Sequence, residues 1–359
     1  MIYEDYYIFT PGPVKMSDEI LAIGAKQTPY FRNDKFSEVT FNCENGLLEM
    51  VNAPKGSRVI FLTASGTAGM ESAVINLLTK NDNALVVNGG GFGGRFVDIC
   101  KTHSIPHTNF MVEDTNLSNI EELAPKDNFT SLIVNAHETS VGHLYDLNAM
   151  GEYAKKNNLF FIVDAISMLV TDPIDMSAQN IDVIIASSQK GLALPPGLTM
   201  VILSPKAINR VQDIDNLYFN FKDYLRNGER GQTPYTPAVT IMLQLEARLS
   251  QIKRRGGVEQ SIKRAKDISE YFRASIKDLP LKFYTPYMPN AMTTLTPTDG
   301  KSAIEIVDGL EEGYKVMVCP NGGDLRDTIF RVSHMGEMTK AYVDVLIDAM
   351  YDFYKIERR

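Results

Sequence analysis

The chain has 359 residues, 44% of them hydrophobic and 22% charged, with a net charge of −8. That length can bury a sizeable core and suggests two domains, or one large domain with an appendage. The acidic balance argues against nucleic acid or an anionic membrane surface as a partner. Cys43, Cys100 and Cys319 are widely spaced with no CxxC pair, which suggests neither a disulfide framework nor a zinc site. Residues 1–10 contain Glu4, Asp5 and several tyrosines, without a basic or apolar leader pattern, and no run of about 18 apolar residues exists. A cytoplasmic location without membrane contact is the expectation.

In chain order, residues 10–13 (Thr-Pro-Gly-Pro) read as a turn or extended segment, with proline restricting φ and Gly12 freeing it. Ser17 then serves as a cap for a short helix. From residue 58 a pattern of strand, polar turn and helix repeats. Residues 58–63 lead into Ser65, Gly66 and Thr67 and a helix over 68–78. Residues 84–87 lead into Asn88 and a glycine cluster, residues 131–134 into Asn135 and the segment 136–140, and residues 159–163 into Asp164. Residues 181–186 lead into Ser187, Ser188, Gln189 and Lys190, followed by Pro195, Pro196 and Gly197. Near-continuous apolar runs alternating with helices indicate a mostly parallel sheet covered on both faces. Ligands of such sheets sit beyond the carboxyl ends of the strands, which is where every polar group named here falls. After residues 233–237 comes a long helix over 238–254. From about residue 245 onward, helices and short strands at 282–284, 292–295, 316–319 and 329–332 predict a smaller α+β domain. The expected division is 1–244 and 245–359.

Several turns carry chemistry. A lysine at the end of a buried strand is desolvated, which favours the neutral amine needed to form an imine. Ser65, Gly66 and Thr67 lie at a helix start, where backbone N–H groups and the dipole attract a phosphate, although a capping motif without ligand explains the same residues. Asp164 ends an apolar strand, and a buried carboxylate needs a partner. Gly89, Gly91 and Gly94 satisfy G-x-G-x-x-G after a strand, with Asp114 about 20 residues on, a pattern that a dinucleotide fold would also show. His103 and His107 are separated by Ser104, Ile105 and Pro106, which disfavour a regular helix. They read as surface histidines, and no metal site is expected. The basic residues Lys253, Arg254, Arg255, Lys263, Arg264 and Lys266 read as a solvated helix face.

The segment Ser188-Gln189-Lys190 with Pro195-Pro196-Gly197 resembles the active-site lysine segment of class V aminotransferases, which are fold-type I pyridoxal phosphate (PLP) enzymes. The resemblance runs from Pro11 to Gly336 and is similar to the alanine–glyoxylate and serine–pyruvate aminotransferases. It implies that Lys190 binds PLP and moves the proton, and that Asp164 holds the pyridinium nitrogen. Ser65, Gly66, Thr67 and Gln189 would line the cofactor, with Phe92 stacked on its ring and Thr139, within Glu138-Thr139-Ser140-Val141-Gly142, on its phenolic oxygen. By the same resemblance Thr236 reaches the phosphate of the neighbouring subunit in a homodimer. Arg331, within Phe330-Arg331-Val332-Ser333-His334-Met335-Gly336, holds the substrate carboxylate near Gly12. The implied activity is ping-pong transfer of an amino group from a small amino acid (alanine or serine) to a 2-oxo acid (pyruvate or glyoxylate). Tyr30-Phe31-Arg32 is also similar to 2-aminoethylphosphonate–pyruvate aminotransferase, where His-Arg would stand in place of Phe31-Arg32. An NAD-binding oxidoreductase built on the glycine cluster, and a catalytically idle binding protein, are the readings from other classes.

Overall fold

Seven five-residue strands carry the fold in a computed structural model that describes residues 5–358. Residues 1–4, part of the leader-free reading, lie outside the described residues. The strands are β1 (Arg58–Leu62), β2 (Ala84–Asn88), β3 (His107–Met111), β4 (Ser131–Asn135), β5 (Phe160–Asp164), β6 (Val183–Ser187) and β7 (Thr199–Leu203). They form one sheet in the order β1-β7-β6-β5-β4-β2-β3. All pairings are parallel except those of β7, which runs antiparallel to both β1 and β6. The carboxyl ends of β1, β2, β4, β5 and β6 therefore share one edge. Sequence reading missed β3 and β7. The first is a half-exposed edge strand with a polar composition, and the second follows directly on a proline-rich loop.

Alternation along each strand feeds two cores. On β6, Val183 and Ile185 join Ile60, Met70 and Phe96 on one face, while Ile184 and Ala186 join Phe161, Met200 and Leu245 on the other. Each such fully buried Ile, Leu, Met or Phe side chain contributes roughly 1.5–3 kcal/mol, so both faces must be covered for the sheet to be stable. Among the described residues no helix is long and apolar enough to cross a membrane.

The helix Val239–Arg254 buries Val239, Met242, Leu245, Leu249 and Ile252 in the large core. The division expected at 244/245 falls inside this helix. We propose to place it at Gly256 and Gly257, whose φ values of +100° and +87° end the helix in a backbone that glycine adopts without strain. Beyond it, the strands Leu281–Phe283, Met292–Pro297, Phe330–Ser333 and Cys319–Pro320 form an antiparallel sheet in that order. Helices Gly257–Ser275, Ala303–Tyr314 and Lys340–Tyr354 complete a separate core around Phe272, Leu295, Leu310, Phe330 and Leu346. Phe9 belongs to this separate core, and Tyr7–Ile8 pairs in parallel with Val316–Met317. The N-terminal segment thus crosses from the small unit to the large one at residues 10–13.

Candidate active site

Lys190 stands three residues beyond β6. Its amine is lowered to about 8, first by burial and next by the Arg331 charge, with Asp164 pulling the other way. Gly12 lies directly against it. A methyl group there would come within 2.9 Å of Lys190 Cδ and 3.1 Å of the Gln189 carbonyl, and the φ of +137° already favours glycine. The proline-flanked glycine and the lysine loop, far apart in sequence, thus form one surface.

Asp164, only 1% exposed, ends β5 in register with Asn135 at the end of β4. Its Oδ2 accepts from Asn135 Nδ2 at 2.6 Å and its Oδ1 from the Ile166 amide at 2.9 Å. Burial pushes its carboxyl up to about 6 against those two bonds, with Glu138 adding repulsion and Lys190 attraction. Lys190 thus feels both Asp164 and Arg331, which brings three of the predicted residues into one neighbourhood.

The helix Gly66–Leu77 begins at the same sheet edge. Ser65 is its cap residue but makes no side-chain capping bond, so that hydroxyl does not satisfy the first-turn N–H groups. A methyl group on Gly66 would meet Ile166 Cδ1 at 2.4 Å, and Ile166 follows Asp164 by two residues. Thr67 Oγ1 accepts from Arg95 Nη1 at 3.0 Å, and the Arg95 guanidinium lies 4.7 Å from the Phe92 ring centroid. Arg95 brings a cation to a helix N-terminus that already attracts anions. Sequence reading missed it, although it closes the glycine run.

The glycine cluster begins the helix Gly91–Thr102. Glu138, fully buried, accepts from the amides of Phe92, Gly93 and Ser140, and from Ser140 Oγ at 2.5 Å. The N-terminus that a dinucleotide's pyrophosphate would need is therefore filled by the chain's own carboxylate, which would repel it. Gly90 packs on Glu138 and Ser140, and Gly93 on the backbone of Val87 and Asn88. These glycines allow close packing, and the NAD reading is set aside. Glu138 is the other residue whose role sequence reading missed, since its motif position gives no hint of a capping carboxylate.

Thr139 donates from Oγ1 to Ser167 Oγ at 2.7 Å, and its carbonyl accepts from Arg331 Nη1 at 3.0 Å. Arg331 Nη2 reaches the Pro320 carbonyl at 2.7 Å and Cys319 Sγ at 3.0 Å, while its buried Nε has no partner. Asn135 Oδ1 and His137 Nε2 are likewise buried without partners. Because His137 Nδ1 faces the Ser167 carbonyl at 3.2 Å, it carries the ring hydrogen. Burial holds that imidazole neutral, at about 3, and Nε2 is an acceptor. Gln189 Oε1 accepts from Ser187 Oγ at 2.6 Å. Thr236 is exposed, with its carbonyl 3.4 Å from Thr63 Oγ1.

One bland reading needs correction. His103 is half-buried and bonded to Glu71 at 2.7 Å, and His107 starts β3 with Nδ1 on the Ile105 carbonyl at 2.8 Å, so neither is a plain surface histidine. The basic residues are solvated as expected, Lys253, Arg254, Arg255, Lys263 and Lys266 being exposed and Arg264 half-exposed, but they lie on two helices, and Arg255 also pairs with Glu337, as does the buried Arg248.

The family profile described as "Aminotransferase class-V" matches residues 25–323. An uncharacterized aminotransferase of Helicobacter pylori (strain J99) is 30% identical over 92% of this chain and 88% of its own length. The L-aspartate–glyoxylate aminotransferase of Paracoccus denitrificans is 26% identical over 93% of this chain and 87% of its own. A crystal structure of the alanine–glyoxylate aminotransferase of Nostoc sp. superposes with a TM-score of 0.90 at 22% identity, covering 97% of this chain and 95% of that one. A fold-type I sheet with the lysine and aspartate at one edge, met by Arg331 from the smaller sheet, agrees with these matches, and the chain belongs to the class V aminotransferases.

Proposed function

We propose that the chain uses PLP to move an amino group from a small amino acid, alanine or serine, to glyoxylate or pyruvate. The observation that carries this reading is the buried Lys190 lying against Gly12, within the electrostatic reach of both Asp164 and Arg331. The residues fit the cofactor. Ser65, Thr67, Arg95 and a helix N-terminus suit a phosphate, Asp164 suits a cationic ring nitrogen, and Phe92 offers an aromatic face. The orphaned acceptors Asn135 Oδ1 and His137 Nε2 mark polar positions that the chain alone leaves unmet. When bound, PLP supplies the carbonyl that takes up the amino group and the electron sink for the bonds at Cα.

The chain's own groups do the rest. Asp164 holds a proton at the ring nitrogen, because an ionised carboxylate in that buried site needs a cation opposite it. Lys190 Nζ, with a depressed pKa, has a large neutral fraction near pH 8 and accepts the proton from the donor's Cα. Arg331 offers its unpartnered Nε to the substrate carboxylate. Gly12 leaves room beside the lysine for that substrate. Donor and acceptor share these groups in turn, which gives ping-pong kinetics.

Arg32 favours a small donor. Its guanidinium bonds to the carbonyls of Thr233 at 2.6 Å and Pro234 at 3.2 Å and to Gln232 at 3.3 Å, so it is engaged within the chain instead of facing a second anionic group. The Paracoccus relative is named for glyoxylate, which supports that acceptor. Exposed Leu217 and Tyr218 beside Thr236, with Tyr218 stacked on Tyr235, support a second copy covering this rim in a homodimer. The test is single-turnover and steady-state kinetics with alanine, serine, aspartate and 2-aminoethylphosphonate against glyoxylate and pyruvate. Alanine or serine with glyoxylate should exceed the phosphonate by at least about tenfold in kcat/KM, roughly 1.4 kcal/mol of transition-state binding. Lys190→Ala should abolish turnover while the fold persists. A preference for the phosphonate would overturn the substrate choice.

A further inference from the structure

Behind the loop that carries Lys190 lies a cavity of about 40 Å³ lined by Gly191, Arg248, Arg255, Arg264, His334 and Glu337. Three guanidiniums face one carboxylate. Glu337 takes Arg248 Nη1 at 2.6 Å and Arg255 Nη1 at 2.8 Å, whereas Arg264 stands off at 4.0 Å. Glu337 leaves two buried nitrogens of this cavity unmet: Arg248 Nε and His334 Nδ1, on residues only 6% and 2% exposed, have no partner.

The hydrogen on His334 can be assigned. Arg273 Nε donates to Thr293 Oγ1 at 2.9 Å, and Thr293 Oγ1 lies 2.8 Å from His334 Nε2. The threonine hydroxyl accepts from the arginine and gives its own hydrogen to Nε2, so the ring hydrogen sits on Nδ1. Burial, followed by repulsion from Arg273, keeps that ring neutral. The residues lining the cavity thus carry two unsatisfied N–H donors and an excess of positive charge. Buried donors of this kind are normally paired, and a charged acceptor satisfies both the hydrogen bonds and the charge, whereas water satisfies the bonds alone.

We propose that this seam binds one small inorganic anion, of chloride size, held by Arg248 Nε, His334 Nδ1 and the Arg264 guanidinium. A water needs about 10–15 Å³ measured in this way, so the space admits a small anion with a water or two and excludes an organic acid such as gluconate. The anion would lie between the segment that follows Lys190 and the segment that follows Arg331, joining the two units. The assignment does not depend on the proposed substrate.

The test uses the purified holoprotein in sodium chloride or sodium gluconate at equal ionic strength. Chloride should raise Tm in a saturable way by about 3 °C over gluconate. Arg264→Gln, at the half-exposed rim where folding is safe, should move the half-saturating chloride concentration up by about tenfold. Crystals soaked in bromide should show an anomalous peak between Arg248 and His334. Equal responses to the two salts, an unchanged midpoint in Arg264→Gln, or a cavity holding only water in the bromide crystals would each overturn the proposal.

Discussion

Asp164 is the residue at which burial and chemistry are most tightly joined. A carboxyl whose folded pKa, about 6, lies above its unfolded value of 3.8 stabilises the fold fully at pH below about 4. That contribution is lost as the pH rises through about 6. The shift corresponds to roughly 3 kcal/mol at most. Asparagine at this position keeps the Ile166 bond, and a flip of Asn135 lets its unpartnered Oδ1 accept from the new amide. Cofactor-free wild type should therefore lose stability relative to Asp164→Asn between about pH 4 and 6. Urea midpoints of both proteins across that range measure it, and a constant difference would mean that the ionised form carries no burial cost. The same variant should lose most of its kcat, because a neutral amide cannot keep a proton on the ring nitrogen.

At the scale of an element, the helix Gly91–Thr102 shows why a glycine run can serve packing instead of nucleotide binding. A methyl group on Gly93 would press on the Val87 carbonyl and the Asn88 Cα, each at 2.7 Å, and neither backbone atom can yield alone. On Gly94 it would meet nothing nearer than the Asn88 side chain at 3.7 Å. Gly93→Ala should accordingly cost about 1–3 kcal/mol through overpacking and displace Phe92 and Arg95. Gly94→Ala should be neutral or stabilise by up to about 1 kcal/mol through helix propensity. Equal effects in denaturant titrations would show that the helix does not rest on β2 as described.

For the whole molecule, the question is where the site ends. Thr236 is exposed beside Thr63, one residue past β1, and its carbonyl faces the Thr63 hydroxyl. A second copy placing it against the partner's cofactor phosphate would explain both its position and the exposed Leu217. Thr236→Ala should then weaken cofactor binding about tenfold, the size of one hydrogen bond to a charged group. Mixing inactive Lys190→Ala with Thr236→Ala subunits should produce heterodimers with one site lacking both groups and one site intact. Regained tight-binding activity after exchange supports a shared site, whereas a monomer in sedimentation would exclude it.

Part of the proposed site was legible because several of its groups sit where an apolar run stops. Lys190 after β6, Asp164 at the end of β5 and Ser65 after β1 are readable from hydrophobic periodicity alone, since a parallel sheet puts all such ends on one edge. The family resemblance added Thr139 and Arg331, whose roles no spacing shows. What periodicity cannot encode is which distant segments meet. The contact of Gly12 with Lys190, the capping of a helix by Glu138 and the bond from Arg95 to Thr67 each join residues dozens to hundreds of positions apart. The edge strand β3 was hidden because its half-exposed face carries polar residues. The basic residues near 255 and 264 read as solvated, and they are exposed or half-exposed, yet Arg255 also pairs with Glu337. A charge declares its type in the sequence, and only tertiary packing determines whether water or another charge receives it, as where the buried Arg248 of the helix Val239–Arg254 meets Glu337.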